Sequence, residues 1–387
     1  MDLIKWPFLK QSWGMEVVRS EGPYLYTKEG QKILDAAGGA IVSNIGYGRE
    51  EVAEAVKQAT KNNSYVLPPF LTPERESLLD ELREHWLPPH LTRIHLSSGG
   101  SEANESAVKL AIQYQASRGK PEKNIILTRT LSYHGTTLNM SGISGHAARK
   151  RGLESYVPKA PMIDTPYPLR CPLGSFHPDA KDYYLDNLKE VIKTIGSENI
   201  AGLLMEPING SSGGAICPPE GYWEEAQNIL IDNDILLIAD EVMTGFGRVG
   251  EDFASNLYNL KPDILVAGKG MGGGYAAIGG TYSTDKIADS IMAAGYEVMF
   301  HTFAALPQSC AASSTVLKIL REEKLCDRVN PLNEKIIDKL NSTVGQHPNV
   351  AEIRGKGLLI GIEIVKEKDG LVCFDEKEKI TSQIMMK

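Results

Sequence analysis

Ile235-Leu236-Leu237-Ile238-Ala239-Asp240-Glu241 runs five apolar residues without a polar break into two adjacent carboxylates. A strand with one wet face alternates apolar with polar residues, whereas a strand covered on both faces does not. The run therefore reads as an inner strand of a parallel sheet. Stretches 93–97, 125–128, 202–205 and 264–267 fit the same frame. Helical patterns lie between them. Ala103, Ala107, Leu110, Ala111 and Tyr114 share one helical face, as do Leu185, Leu188, Ile192 and Ile195, and Trp223, Ala226 and Leu230. Such alternation predicts an α/β fold with a mostly parallel sheet between helices.

The strand ends carry the chemistry. They lead into Ser98-Gly99-Gly100-Ser101, Glu206-Pro207, Asp240-Glu241 and Gly268-Lys269. Open α/β sheets bind ligands just outside the carboxyl ends of their strands, so these four should converge on one crevice. The small-residue turn at 98–101 exposes N–H groups at a helix start, where an anion such as phosphate is favoured. An ordinary helix start reads equally from those residues. Lys269, flanked by glycines after an apolar strand, is a partly desolvated amine with room for a bulky partner, as Schiff-base lysines need. Tyr133, in the loop Tyr133-His134-Gly135-Thr136, could stack on a planar ligand or be a surface residue.

Rival readings of these motifs are weaker. The strand before Asp240 also suits the magnesium-holding strand of P-loop ATPases. That fold needs G-x-x-x-x-G-K-[ST], and the glycine–lysine pairs at 119, 268 and 355 lack it. Gly268, Gly270 and Gly273 spell G-x-G-x-x-G, but glycines continue to Gly280, so no dinucleotide-binding helix starts. A structural carboxylate paired with Arg248 stays open as the alternative for Asp240.

The 387 residues suffice for two domains, and the net charge of −8 gives nucleic acid or anionic membranes nothing to hold. No apolar run approaches the roughly 20 residues that span a bilayer. The first residues lack a secretory signal pattern, and five cysteines without a C-x-x-C suggest neither a disulfide framework nor a zinc site. A cytoplasmic location is the expectation. Residues 50–299 are expected to form a large domain, and 1–49 with 300–387, including a helix after Pro307 and an apolar run at 358–364, a smaller one. Lys387 falls inside a helical pattern.

Gly100-Ser101-Glu102-Ala103-Asn104-Glu105, Ser132-Tyr133-His134-Gly135, Ala239-Asp240-Glu241-Val242-Met243-Thr244-Gly245-Phe246-Gly247-Arg248 and the Lys269 loop occur in one order. Together they resemble the class III aminotransferases, a pyridoxal-phosphate (PLP) family of fold type I. That fold has a large domain around a mostly parallel sheet of seven-stranded type, plus a smaller α+β domain from both chain ends. The resemblance implies that Gly100 and Ser101 hold the cofactor phosphate and that Tyr133 stacks on the ring. Asp240 would pair with the ring nitrogen, Val242 pack on the opposite face, and Lys269 carry the cofactor as a Schiff base. His134 and Glu206 belong to the same cofactor-binding set. Thr302 matches a threonine that reaches the phosphate from a partner subunit, which implies a homodimer with shared sites. The resemblance further implies that Lys269 and Asp240 are the catalytic pair and that the substrates are an amino donor and a 2-oxo acid.

Pro166-Tyr167-Pro168-Leu169-Arg170-Cys171-Pro172 and Met243-Thr244-Gly245 look most like the ω-amino acid:pyruvate branch. Thr136 and Ser211 stand where ornithine- and 4-aminobutyrate-type members often carry arginine and glutamate, which favours pyruvate as acceptor. Family members continue past the position of Lys387 with structure that often supplies an arginine for the substrate carboxylate. Here that cation is expected from such a segment, from Arg170 or from a partner subunit. The same motifs serve PLP decarboxylases, aminomutases, racemases and phospho-lyases, and a shortened, inert PLP-binding protein is the reading of another class.

Overall fold

A computed structural model describes residues 15–385. Strands β1 (Val17–Glu21), β2 (Tyr24–Thr27) and β3 (Lys32–Leu34) form a small antiparallel meander. The main sheet holds β4 (Arg93–Ser97), β5 (Ile125–Arg129), β6 (Met162–Ile163), β7 (Ile200–Met205), β8 (Leu236–Asp240), β9 (Ile264–Ala267) and β10 (Gly279–Ser283). Their spatial order is β4-β10-β9-β8-β7-β5-β6, and β10 runs antiparallel to both neighbours. A hairpin of β11 (Val350–Lys356) and β12 (Leu359–Ile364) stands apart.

Every residue of β7, β8 and β9 is buried, as the unbroken apolar runs require. Successive side chains split between two faces. Leu236, Ile238, Ile264 and Val266 pack with Ala103, Ala107 and Ala111 of the helix Gly100–Ser117. Leu203, Met205 and Leu237 pack oppositely, with Leu185 and Leu188 of the helix Ala180–Ile195 and Trp223 and Leu230 of the helix Tyr222–Asp232. The helix Pro307–Glu322, started by proline at its first turn, brings Cys310, Val316 and Leu317 into a third cluster with Leu265, Phe246 and Tyr282.

Strands β6 and β10 have no apolar run to announce them. At β10 a Cβ on Gly279 would come within 2.9 Å of the Gly99 backbone, so the close crossing excludes side chains that mark a strand. Among the described residues no helix is long and apolar enough to cross a membrane.

Candidate functional site

The strand ends converge as anticipated. β4 passes through Ser98 and Gly99 into the helix Gly100–Ser117, and the Ser98 N–H donates to Glu102 Oε2 at 2.8 Å. The N–H groups of that first turn have no partner within the helix. A Cβ on Gly100 would lie 2.9 Å from Val242 Cγ1, so glycine lets the turn meet the residue after the β8 carboxylates. Ser101 Oγ accepts the Thr136 N–H at 3.1 Å and joins the turn to the Tyr133 loop.

Asp240 and Glu241 leave β8 in opposite directions. Glu241 points into the body, where it accepts from Thr244 Oγ1, from the Ala254 N–H at 2.9 Å, and from Ser255 N–H and Oγ at 2.6 Å each. It is an internal anchor. Asp240 shares the parity of Leu236 and Ile238 and so faces the helix Gly100–Ser117. Its Oδ2 accepts from Asn104 Nδ2 at 2.8 Å and from His134 Nδ1 at 2.8 Å, and its Oδ1 accepts the Val242 N–H at 3.1 Å. Arg248, the alternative partner for Asp240, instead donates to Ser43 O at 3.3 Å and lines an adjoining cavity.

Lys269 follows β9 at φ +41°, in the left-handed region that costs a residue with a side chain about 1–2 kcal/mol. Hydrogen bonds hold that turn. Gly272 and Gly273 N–H groups donate to Lys269 O at 3.0 and 3.1 Å, and Asn44 Nδ2 donates to Gly270 O at 2.9 Å. Burial pushes the Lys269 amine below its ordinary value, while the carboxylates of Asp240 and Glu206 pull it back up.

Glu206, just beyond β7, accepts the Gly210 N–H at 2.8 Å and the Tyr133 N–H at 3.3 Å. Arg129 Nη2 donates to Glu206 O at 2.8 Å and lies 3.5 Å from its Oε2. Burial raises the Glu206 carboxyl, and Arg129 opposes it.

Gly100, Ser101, Tyr133, His134, Glu206, Asp240, Val242 and Lys269 all line one cavity of about 140 Å³. Thr302 does not. It is exposed beside His301, whose Nε2 lies 3.3 Å from Ser106 Oγ. Arg170 also falls outside the cavity: Glu363 takes its Nη2 at 2.7 Å and its Nε at 3.0 Å, so it is not free for a substrate carboxylate. Asn104 and Arg129 escaped the sequence reading. Asn104 stands four residues after Gly100, on the same helical face, and that spacing could have found it. Arg129 merely ends an apolar strand, and nothing in its neighbours marks it.

Residues 10–382 match the aminotransferase class-III family. The chain belongs to the class III aminotransferases. This transaminase is 36% identical to the aminotransferase YodT of Bacillus subtilis, over 95% of this chain and 82% of that protein. It is 33% identical to a putrescine–pyruvate aminotransferase of Pseudomonas aeruginosa, over 93% of this chain and 79% of that one. Among solved structures, an amine transaminase from an uncultivated Pseudomonas species in its PLP-bound form superposes with a TM-score of 0.92 at 30% identity, covering 98% of this chain and 88% of the other. An (S)-enantioselective omega-transaminase from Thermomicrobium roseum gives 0.88 at 34% identity, covering 94% and 81%.

The transaminase thus has PLP fold type I, is ω-transaminase-like and takes PLP as cofactor. Its cavity suits that group on its own evidence. The first-turn N–H groups beside Gly100 suit a phosphate, the buried Asp240 carboxylate a cationic ring nitrogen, and the half-buried amine of Lys269 an aldehyde. A Cβ at Gly100 would close the gap to Val242.

Proposed function

We propose that this transaminase moves an amino group from an amine or ω-amino acid to pyruvate, as a cytoplasmic homodimer with shared sites. The observation that carries the reading is the Lys269 amine in one cavity with Asp240, Tyr133 and Gly100. Lys269 holds the cofactor, Gly100 and Ser101 its phosphate, Tyr133 and Val242 the two ring faces, and His134 and Glu206 support them. In the proposed division, residues 50–299 form the PLP-binding domain, and 1–49 with 300–387 the smaller one.

When bound, PLP supplies an electron sink for the carbanion left as the substrate C–H bond gives up its proton. The protein's part is proton traffic and orientation. Lys269 Nζ would accept that proton and return it to the cofactor carbon on the far side of the shared nitrogen, two bonds away, a task for which its lowered basicity suits it. Asp240, with Oδ2 engaged by His134 and Asn104, presents a fixed carboxylate that favours a protonated ring nitrogen. The half-buried Tyr133 covers the site on the loop side.

Pyruvate is favoured because the distal carboxylate of a dicarboxylate acceptor would find no cation at positions 136 and 211. Thr136 and Ser211 are neutral and exposed, and Arg170 is committed to Glu363. The named activity of the Pseudomonas aeruginosa relative supports the same acceptor. The dimer reading rests on Phe70, Leu71, Met299 and Phe303, which are 62–68% exposed, with Thr302 on the same segment as the last two.

Incubation with an amine donor followed by pyruvate tests the whole. The yellow protein should lose its colour band with the donor and regain it with pyruvate. Borohydride should fix the cofactor to the Lys269 peptide. Attachment elsewhere, or a clear preference for 2-oxoglutarate, overturns the reading.

A further inference from the structure

The G-x-G-x-x-G run at 268–273 opens only a single turn, Lys269–Met271, so its glycines serve something other than a dinucleotide. Two of them make room for a side chain 226 residues away in sequence, Asn44. A Cβ on Gly270 would lie 3.0 Å from Asn44 Nδ2. One on Gly273 would lie 3.1 Å from Asn44 Oδ1 and 2.9 Å from Val316 Cγ1. Within that space Asn44 Nδ2 donates to Gly270 O at 2.9 Å, while Oδ1 is buried and finds no donor among the described residues. Burying an amide with one end unsatisfied carries a cost that an apolar residue of similar size would avoid. Packing alone therefore does not explain asparagine here, and the bond to Gly270 does.

Asn44 is itself held. Tyr275, later in the same loop, donates its hydroxyl to Gly46 O at 2.7 Å and accepts the Arg49 N–H at 2.9 Å. The Arg49 guanidinium donates to Ile45 O at 3.0 Å and to the two oxygens of Glu323 at 2.7 Å each. Segment 44–49 is thereby tied to the end of the helix Pro307–Glu322 and gripped twice by the loop after β9. Lys269 adjoins Gly270 and stands at φ +41°, a conformation that a residue with a side chain leaves unless its surroundings over-determine it. Without the bond at Gly270 the turn is free to relax, and the Lys269 side chain swings with it.

We propose that Asn44 is a positioning residue for the reaction: through Gly270 it holds the Lys269 turn in its left-handed form and keeps the amine in the cavity. The inference rests on the reading of Lys269 as cofactor anchor and proton carrier. It adds the group, on a distant segment, that fixes where that amine stands.

The full chain, as wild type, Asn44→Ala, Gly270→Ala and the double variant, decides it. Gly270→Ala breaks the same contact from the other side, since its next neighbours, Gly245 O at 3.5 Å and Phe246 Cβ at 3.6 Å, leave ordinary room. On the cofactor-free protein the readout is the pH midpoint for acetylation of Lys269 by trace acetic anhydride, followed by peptide mapping. The variants add no charge, and the groups that act on the amine, Asp240, Glu206, Arg149 and Arg248, all remain. A released turn lets water reach the amine, so the midpoint should rise by about one pH unit or more. On the protein loaded with PLP, the butylamine half-reaction at saturation should slow roughly ten- to hundredfold, the cost of a small misplacement of a reacting group. Its KM should change by less than about threefold, and the double variant should be no slower than the slower single one. An unmoved midpoint or an unchanged saturated rate overturns the assignment, as does a loss confined to KM or a double variant whose loss is the product of the two. If borohydride fixes the cofactor elsewhere than on Lys269, the underlying reading falls, and the acetylation midpoint still tests Asn44 alone.

Discussion

His134 Nδ1 lies 2.8 Å from Asp240 Oδ2, with both side chains buried. A carboxylate oxygen can only accept, so Nδ1 carries a proton, and Nε2 lies 3.3 Å from Thr128 Oγ1 on the other side of the ring. Asn104 donates to the same Oδ2, so the carboxylate cannot rotate, and Oδ1 keeps a lone pair beyond its bond to Val242. His134 therefore acts by positioning Asp240.

Replacing His134 by Phe should keep the volume and remove the bond. Hydrogen bonds to charged groups are worth about 1.5–3 kcal/mol, so turnover should fall roughly ten- to hundredfold. Asp240→Asn should fall at least as far while still retaining PLP. Turnover and absorbance titration with PLP on both variants check this. Unchanged turnover in Asp240→Asn would return Asp240 to a structural role.

The main sheet and this site were legible for one reason: parallel strands buried on both faces leave unbroken apolar runs, and the site sits at their ends. The limits of β4 and β9 agree with the runs 93–97 and 264–267, and β8 lies one residue later than its run. What stayed hidden lacks that signature. β10 is glycine-rich because Gly279 crosses close to Gly99, and β6 has two residues. Arg170 looked available because its partner Glu363 is 193 residues away. Arg129 reads as the end of a strand, and only the fold shows that it meets Glu206.

Gly100→Ala tests the cradle. The added methyl would approach Val242 Cγ1 to 2.9 Å and Cγ2 to 3.0 Å. Overpacking of this kind costs about 1–3 kcal/mol. PLP affinity should fall about tenfold or more, because the turn and Val242 must separate. Gly100→Ala with Val242→Ala should recover part of the loss. Equilibrium titration with PLP reads both, and equal affinities in the two variants would remove the steric explanation.

Arg129→Met should destabilise the protein by about 3–5 kcal/mol, the cost of leaving a buried charge without its partner. The side chains concerned are 2% and 5% exposed. Burial already holds the Glu206 carboxyl above its ordinary value, and without Arg129 the largest opposing influence is lost, leaving only His134 and the Gly210 N–H against burial and Asp240, so the folded state binds the proton more tightly still. Stability contributed by such a group is full at low pH and lost as pH rises. The penalty of Arg129→Met should therefore grow from pH 5 to pH 8 in urea unfolding. A penalty independent of pH would mean that the lost packing, and not the stranded Glu206, dominates.

His95 predicts an acid sensitivity of the opposite sign. It lies on β4, with Nε2 buried and without a hydrogen-bond partner, and its ring is 5.8 Å from that of His301. Burial, with smaller contributions from His301 and Lys109, pushes it down to about 4. An unfolded histidine titrates near 6.5, so between these values the unfolded chain takes a proton that the folded chain refuses. Stability is flat above about pH 7 and falls as the pH drops, by roughly 1–2 kcal/mol at pH 5 from this residue. His95→Phe removes the titrating group and keeps a ring beside the apolar side chains of Leu71 and Phe300. Urea midpoints at pH 7.5 and pH 5 should converge in the variant relative to wild type. If both proteins lose the same stability on acidification, His95 is not the group that titrates.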